Sequence, residues 1–188
     1  MSRSMKEQIL HEASRMLLKK GLNGFSLQEL ASALNLKKAS LFHHYPSKSS
    51  LALELYRFYQ KAFIDWTAAN SRLSPERQIL SYAEELTRWI CDKERVCPVG
   101  ALSLEWHQLD PELQDEIKVL HKLQKDWLTG LFKSIKKTSG LNASINDAVI
   151  CTMTMLQGSI QIARLIDEPG MVKSNLRSYL KSIKPKST

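Results

Sequence analysis

The chain has 188 residues, 43% hydrophobic and 24% charged, which is enough to bury a real core in one or two packed domains and is not the composition of a disordered chain. The longest uncharged stretch, residues 148–163, is shorter than the roughly 18 apolar residues of a membrane span, so a membrane protein is not expected. The net charge is +8, and residues 1–61 carry 10 lysines and arginines against 4 acidic residues, a basic head that attracts a polyanion.

The apolar period is helical from the start. Ile9, Leu10, Ala13, Met16 and Leu17 form one face of a first helix, which Gly21 ends by accepting a left-handed conformation. Ser26, with Glu29 three residues later, is a capping box for a second helix whose inward stripe is Leu27, Leu30, Ala31 and Leu34. Asn35 tolerates positive φ and makes the turn into a third, about two turns long, which stops before Pro46. Ser47 caps a fourth, with Leu51, Leu55, Phe58, Ala62 and Trp66 expected inward.

Two short helices joined by a tight turn, the second crowded with polar and aromatic side chains, are the pattern of a helix-turn-helix. Leu41 and Tyr45 are expected to dock the third helix, while Ser40 fits either side. Lys37, Lys38, Phe42, His43 and His44 are left over for something outside the core. Lysines reach phosphates or guanine acceptors, His43 donates to base edges or phosphates, and Phe42 meets a thymine methyl or a sugar. Lys48, in the first turn of the fourth helix, is placed to help backbone N–H groups hold a phosphate. His43 and His44 are adjacent, hence about 100° apart on a helix, and do not chelate one ion as an i, i+4 pair would.

The stretch ILHEASRMLLKKGLNGFSLQELASALNLKKASLFHHYPSKSSLALELY, residues 9–56, resembles the N-terminal DNA-binding domain of the tetracycline-repressor (TetR) family. Carried over position by position, the resemblance implies that Gln28, Lys38, Ala39, Phe42 and His43 face DNA, with His44 and Lys48 on phosphates. Phe42 stands where a tyrosine is usual, Asn35 where a turn glycine is frequent, and Lys37 where a capping serine is frequent.

Beyond about residue 65 the helical reading continues. Pro75 opens a helix with Ile79, Tyr82, Ala83, Leu86 and Ile90 inward, and Pro98 opens a shorter one over PVGALSLEWHQL. Asp110 and Pro111 begin a long helix that carries Leu113, Ile117, Leu120, Leu123, Trp127, Leu131 and Ile135 as far as Gly140. Ser144 and Asp147 cap a helix very low in charge, around Met153, Leu156, Gly158 and Ile160, and Pro169-Gly170 separates it from a last one through Val172, Leu176, Leu180 and Ile183. The expected fold is all-α: a helix-turn-helix domain over residues 1–50, then a helical effector-binding and dimerisation domain over 51–188, nine helices in all, as the resemblance also implies.

The resemblance further implies a homodimer formed by the last two helices, with Met153, Leu156, Ile160, Leu176 and Leu180 at the interface, and a palindromic operator read in successive major grooves. A monomeric core helix is the other reading of the low-charge segment. A small, often apolar effector would bind among Trp66, Trp89, Cys97, Trp106, His107 and Trp127, aromatics from several helices lining one pocket, although each tryptophan also reads as core packing. Cys97, next to Pro98 at a helix start and near Arg95, is a candidate electrophile or oxidant sensor or else an inert buried thiol.

No phosphate loop, nucleophile elbow or HExxH metal helix is present, so no catalytic residue, metal or cofactor is expected. Cys91, Cys97 and Cys151 form no CxxC-type pair and suit a reducing compartment, and the N-terminal residues lack the apolar core of a secretory signal. The expectation is a cytoplasmic, ligand-responsive DNA-binding regulator, more often a repressor. The alternative is a helical adaptor, or a regulator that senses electrophiles or oxidants through Cys97.

Overall fold

A computed structural model of the chain describes residues 4–91 and 97–185, without the side chains of residues 89–91. Among the described residues there are nine α-helices and no strand: α1 Met5–Lys20, α2 Leu27–Ala33, α3 Lys38–His44, α4 Lys48–Ala69, α5 Pro75–Cys91, α6 Pro98–Ala101, α7 Pro111–Ser139, α8 Ile145–Ile166 and α9 Gly170–Ser182. A short 3-10 turn, Trp106–Gln108, precedes α7.

Local chemistry sets most of the helix boundaries. Ser26 accepts from the Glu29 amide at 3.1 Å while the Glu29 carboxylate accepts from the Ser26 amide at 2.6 Å, the reciprocal box the sequence predicts. Ser4 and Glu7 form a second box at the start of α1, from the same S-x-x-E spacing. Ser47 and Ser50 exchange hydrogen bonds at the start of α4, and Ser144 accepts from the Asp147 amide at the start of α8. Gly21 at the end of α1 has φ 75°, and Asn35 in the turn between α2 and α3 has φ 53°.

Packing divides the chain into two compact units, residues 1–63 with 94–120 and residues 64–93 with 121–188, and the divisions fall inside α4 and α7. In the first unit the core is built from Ile9, Ala13 and Leu17 of α1, Leu30 and Ala31 of α2, Leu41 of α3, and Leu51, Leu55 and Tyr56 of α4, each at most 1% exposed. Leu102, Leu109, Leu113, Ile117 and Leu120 complete it, so the chain from Cys97 to Leu120 shares a core with the helix-turn-helix. Tyr56 donates its buried hydroxyl to the Pro98 carbonyl at 2.7 Å, and burial raises that hydroxyl's pKa well above its ordinary value. Arg57 and Gln60 of α4 both bond to Glu116 of α7.

In the second unit α8 packs on α9, and both pack on α5. Its core holds Ile79, Ala83 and Leu86 with Ala148, Val149, Leu156, Ile160 and Ala163, and with Val172, Leu176 and Leu180. α8 is long and apolar enough to cross a membrane by length and composition alone, yet seven of its residues are buried within this unit.

Three expectations are corrected by this packing. The inward stripe of α4 is Leu51, Ala52, Leu55, Tyr56, Tyr59 and Phe63, while Phe58 and Ala62 face outward, because Tyr56 and Tyr59 turn toward Pro98 and Ser14. The helix begun at Pro98 closes at Ala101 instead of continuing to Leu109, and the chain then bends through Ser103 and Glu105. Leu156, Ile160, Leu176 and Leu180, expected on a partner-facing surface, are 4%, 1%, 0% and 5% exposed, because they knit α8 and α9 into their own unit.

Candidate nucleic-acid interface

Helix α3 is attached by one side. Leu41 is its only buried residue and Tyr45 follows just after its end, both packed with the first unit's core as the sequence predicts. Full burial of a leucine is worth about 1.5–3 kcal/mol, so a short helix docked this way depends on the core beneath it for its stability. Lys37, Lys38, Ala39, Ser40, Phe42, His43 and His44 are all exposed. The turn that aims α3 is made by backbone bonds, with the Leu36 amide on the Ala31 carbonyl at 2.9 Å and the Asn35 amide on the Ser32 carbonyl at 3.1 Å.

The exposed side chains are arranged in pairs. The Lys38 ammonium lies 5.3 Å from the centroid of the Phe42 ring, one helical turn on, so a cation and an aromatic face project together. The rings of His43 and His44 meet edge to face at 5.7 Å, the histidines being neighbours in sequence. Gln28 of α2 is also exposed. Lys38, His43 and His44 on α3, with Lys37 at its cap and Gln28 on α2, are therefore five exposed groups of the kind that can donate to phosphates or base edges. The Glu29 carboxyl is held below its usual range by hydrogen bonds from Ser26.

Lys48 behaves differently from its expected role. Its ammonium is half-buried and donates to the carbonyls of Leu22 at 3.0 Å and Phe25 at 3.1 Å, with the Phe25 ring centroid 5.9 Å away. In this structure it fastens the loop between α1 and α2 to the start of α4 and does not project as a free phosphate contact.

The residues expected around an effector fall in two places. Trp66 and Trp127 meet at 5.8 Å between ring centroids, each also touching Tyr82 at 5.3 and 5.4 Å, and Gln124 donates to the Tyr82 hydroxyl at 2.7 Å. Tyr82 and Gln124 were not singled out as site residues by the sequence, since an inward tyrosine and a glutamine among apolar positions read as ordinary packing. Cys97, Trp106 and His107 belong to the first unit: Cys97 is 3% exposed, Trp106 is half-buried with the Lys118 ammonium 5.9 Å over its ring, and His107 is exposed. The Trp89 side chain and Arg95 lie outside the described residues. Among the described residues no three His, Cys, Asp or Glu side chains come together as metal ligands would.

A three-helix head whose third helix is bare but for one anchoring residue is the arrangement of a helix-turn-helix. Residues 9–55 match the model of the bacterial regulatory proteins of the tetR family. An HTH-type transcriptional regulator from the lacX 3′ region of Lactococcus lactis subsp. lactis is 24% identical over 184 residues, 92% of this chain and 90% of its own. The negative transcriptional regulator IcaR of the biofilm operon icaADBC in Staphylococcus aureus is 40% identical over 47 residues, 25% of each chain. Among solved structures, a TetR transcriptional regulator from Legionella pneumophila superposes with a TM-score of 0.84 at 23% identity, covering 97% of this chain and 99% of that one. AibR, solved in complex with isovaleryl coenzyme A and operator DNA, superposes with a TM-score of 0.66 at 20% identity over 84% and 86% of the two chains. The likeness in sequence to the tetR family lies in residues 9–55, and the fold is of the TetR type over nearly the whole length of the chain.

Proposed function

We propose that this protein is a ligand-responsive repressor, not an enzyme, which binds a palindromic operator as a homodimer in the cytoplasm. Residues 1–50 are the DNA-binding part and residues 51–188 the effector-binding and dimerisation part. The observation that carries the reading is the exposure of seven residues from Lys37 to His44 around one buried leucine. In the major groove, Lys38, Ala39, Phe42 and His43 would meet base edges, with Gln28, Lys37 and His44 alongside them on bases or phosphates. IcaR is a negative regulator and AibR was crystallised with an acyl coenzyme A and its operator, which supports repression and an organic effector here.

The dimer face we assign to α8 is its outer stripe, Ile150, Thr154, Gly158, Ile162 and Leu165, which recur every three or four residues and are all exposed, with half-buried Met153 beside them. Two copies joined there would present two α3 helices, as a two-fold operator with half-sites about 34–36 Å apart demands. The effector site we assign to the aromatic group Trp66, Tyr82 and Trp127. Its occupant would act by binding best to the arrangement of heads that fits DNA worst.

The test is a duplex selected from random-sequence DNA by the protein itself. The double variant K38A/H43A should keep its helical spectrum and lose at least tenfold in affinity for that duplex, with a shallower salt dependence. Equal binding by the variant would remove α3 from the interface.

A further inference from the structure

The loop between α1 and α2, residues 21–26, is held by polar groups of opposite sign from two other parts of the first unit. Lys48 at the start of α4 donates to the carbonyls of Leu22 and Phe25. Glu105, in the bend between α6 and the 3-10 turn, accepts from the Asn23 amide at 3.2 Å, and Gln108 accepts from the Asn23 side-chain amide at 3.1 Å. The Glu105 carboxylate fills the space where a side chain on Gly21 would stand, since a Cβ there would lie 2.0 Å from its Oε1. Gly24 is pinned as well, because a Cβ on it would come 2.1 Å from the Lys20 carbonyl oxygen. Leu22 and Phe25 are buried beneath the loop.

The far ends of these contacts are anchored too. Leu102 and Leu109, on either side of Glu105, are 1% and 6% exposed. The Gln114 side chain in the first turn of α7 donates to the Trp106 carbonyl at 2.8 Å, which fixes the 3-10 turn on α7. The loop leads within one residue to the cap of α2, and α2 carries α3 through the Asn35 turn. A shift of the bend at Glu105 therefore reaches the recognition helix through a single hydrogen-bonded loop.

We propose that Glu105 and Gln108 are positioning residues for DNA recognition: by holding Asn23 they set the angle at which α2 and α3 leave α1, while Lys48 holds the same loop from the side of α4. This rests on the reading of α3 as the DNA-contacting helix. The Glu105 role depends on its acceptor oxygen. Charge is not required, and that separates it from the general gain in DNA affinity that follows loss of any acidic residue.

The experiment compares full-length wild type, Glu105→Gln and Glu105→Ala by amide hydrogen exchange resolved at Asn23, by the amide chemical shifts of residues 27–44, and by the ratio of affinities for the selected duplex and for random duplex. Glutamine keeps an acceptor and alanine does not, and both variants remove the same charge. The expected result is faster exchange at Asn23 in Glu105→Ala by tenfold or more, moved α2–α3 shifts, and a specificity ratio at least fivefold lower, with Glu105→Gln close to wild type on all three. Unchanged exchange or shifts in Glu105→Ala would overturn the proposal. So would faster exchange with an undiminished ratio, or a glutamine variant as impaired as alanine. If wild type prefers no duplex at all, the DNA reading fails, and the positioning role is then decided by exchange and shifts, which do not involve DNA.

Discussion

The Gln124 side chain of α7 donates to the Tyr82 hydroxyl of α5 at 2.7 Å, and both residues are less than a tenth exposed. This buried polar link sits at the edge of the Trp66–Tyr82–Trp127 group. Removing either side chain breaks this buried hydrogen bond, at a cost of about 1–3 kcal/mol. Tyr82→Phe or Gln124→Leu should each lower the thermal midpoint by several degrees, at roughly 2–4 °C per kcal/mol for a chain of this size. The double variant should lose less than the sum of the two, and additive losses would show that the pair is not coupled.

Acid should loosen the contact between α4 and α7 through Glu116. Burial raises this carboxyl's pKa, but hydrogen bonds from Gln60 and Arg57 and the Arg57 charge outweigh that, and the net shift is downward. A carboxyl whose folded pKa lies below its unfolded value, about 4.3, adds stability that is complete above that pH and is lost as pH falls through the folded value. Glu76, paired with Lys184, and Glu29 in the α2 cap shift in the same direction. Urea midpoints taken from pH 6 down to pH 3 should therefore fall, and Glu116→Gln should lie below wild type at pH 6, with the gap narrowing as the pH falls. Parallel curves would exclude the Glu116 contribution.

What the sequence made legible was local chemistry. Ser26 with Glu29, Ser144 with Asp147, the positive φ of Asn35 and the docking of Leu41 all depend on residues a few positions apart, and each is where the spacing puts it. Ser4 and Glu7 carry the same spacing at the start of α1. What stayed hidden was decided by distant partners. The α4 stripe is ambiguous within one helix, since Phe58 and Tyr59 are neighbours of similar apolarity, and the choice is made by Ser14, 45 residues away. Lys48 reads as a phosphate contact until the carbonyls of Leu22 and Phe25 are seen beside it. Periodicity shows that α8 and α9 have apolar faces but not whether a face is covered by the same chain or a second one, and Leu156 and Leu176 are covered within their own chain.

Lys48→Met keeps the apolar stem and removes both hydrogen bonds to the loop. If the loop clamp is its role, the variant loses about 1–3 kcal/mol of head stability, and the salt slope of DNA binding is unchanged. A phosphate contact would instead lower that slope by about one counterion with little change in stability. Urea unfolding together with anisotropy titrations at several salt concentrations separates the two outcomes.

Gly158 tests the dimer face most directly. A Cβ built on it meets nothing within 4 Å, and the residue lies mid-helix among exposed Thr154, Ile162 and Leu165. Within one protomer a Cβ at Gly158 therefore has room and the position is exposed, and Gly158→Leu gains helix propensity, since glycine costs about 0.8–1.0 kcal/mol relative to alanine and leucine is close to alanine. Between two copies packed along this stripe, the same side chain would hold the helices apart, because glycine is the position of closest backbone approach. The expected outcome is a variant that melts no lower than wild type at high dilution but sediments as a monomer where wild type sediments as a dimer. It should also bind the palindromic duplex at least tenfold more weakly while retaining affinity for a half-site. A variant that still sediments as a dimer and binds the full palindrome as wild type does would move the interface off this face of α8.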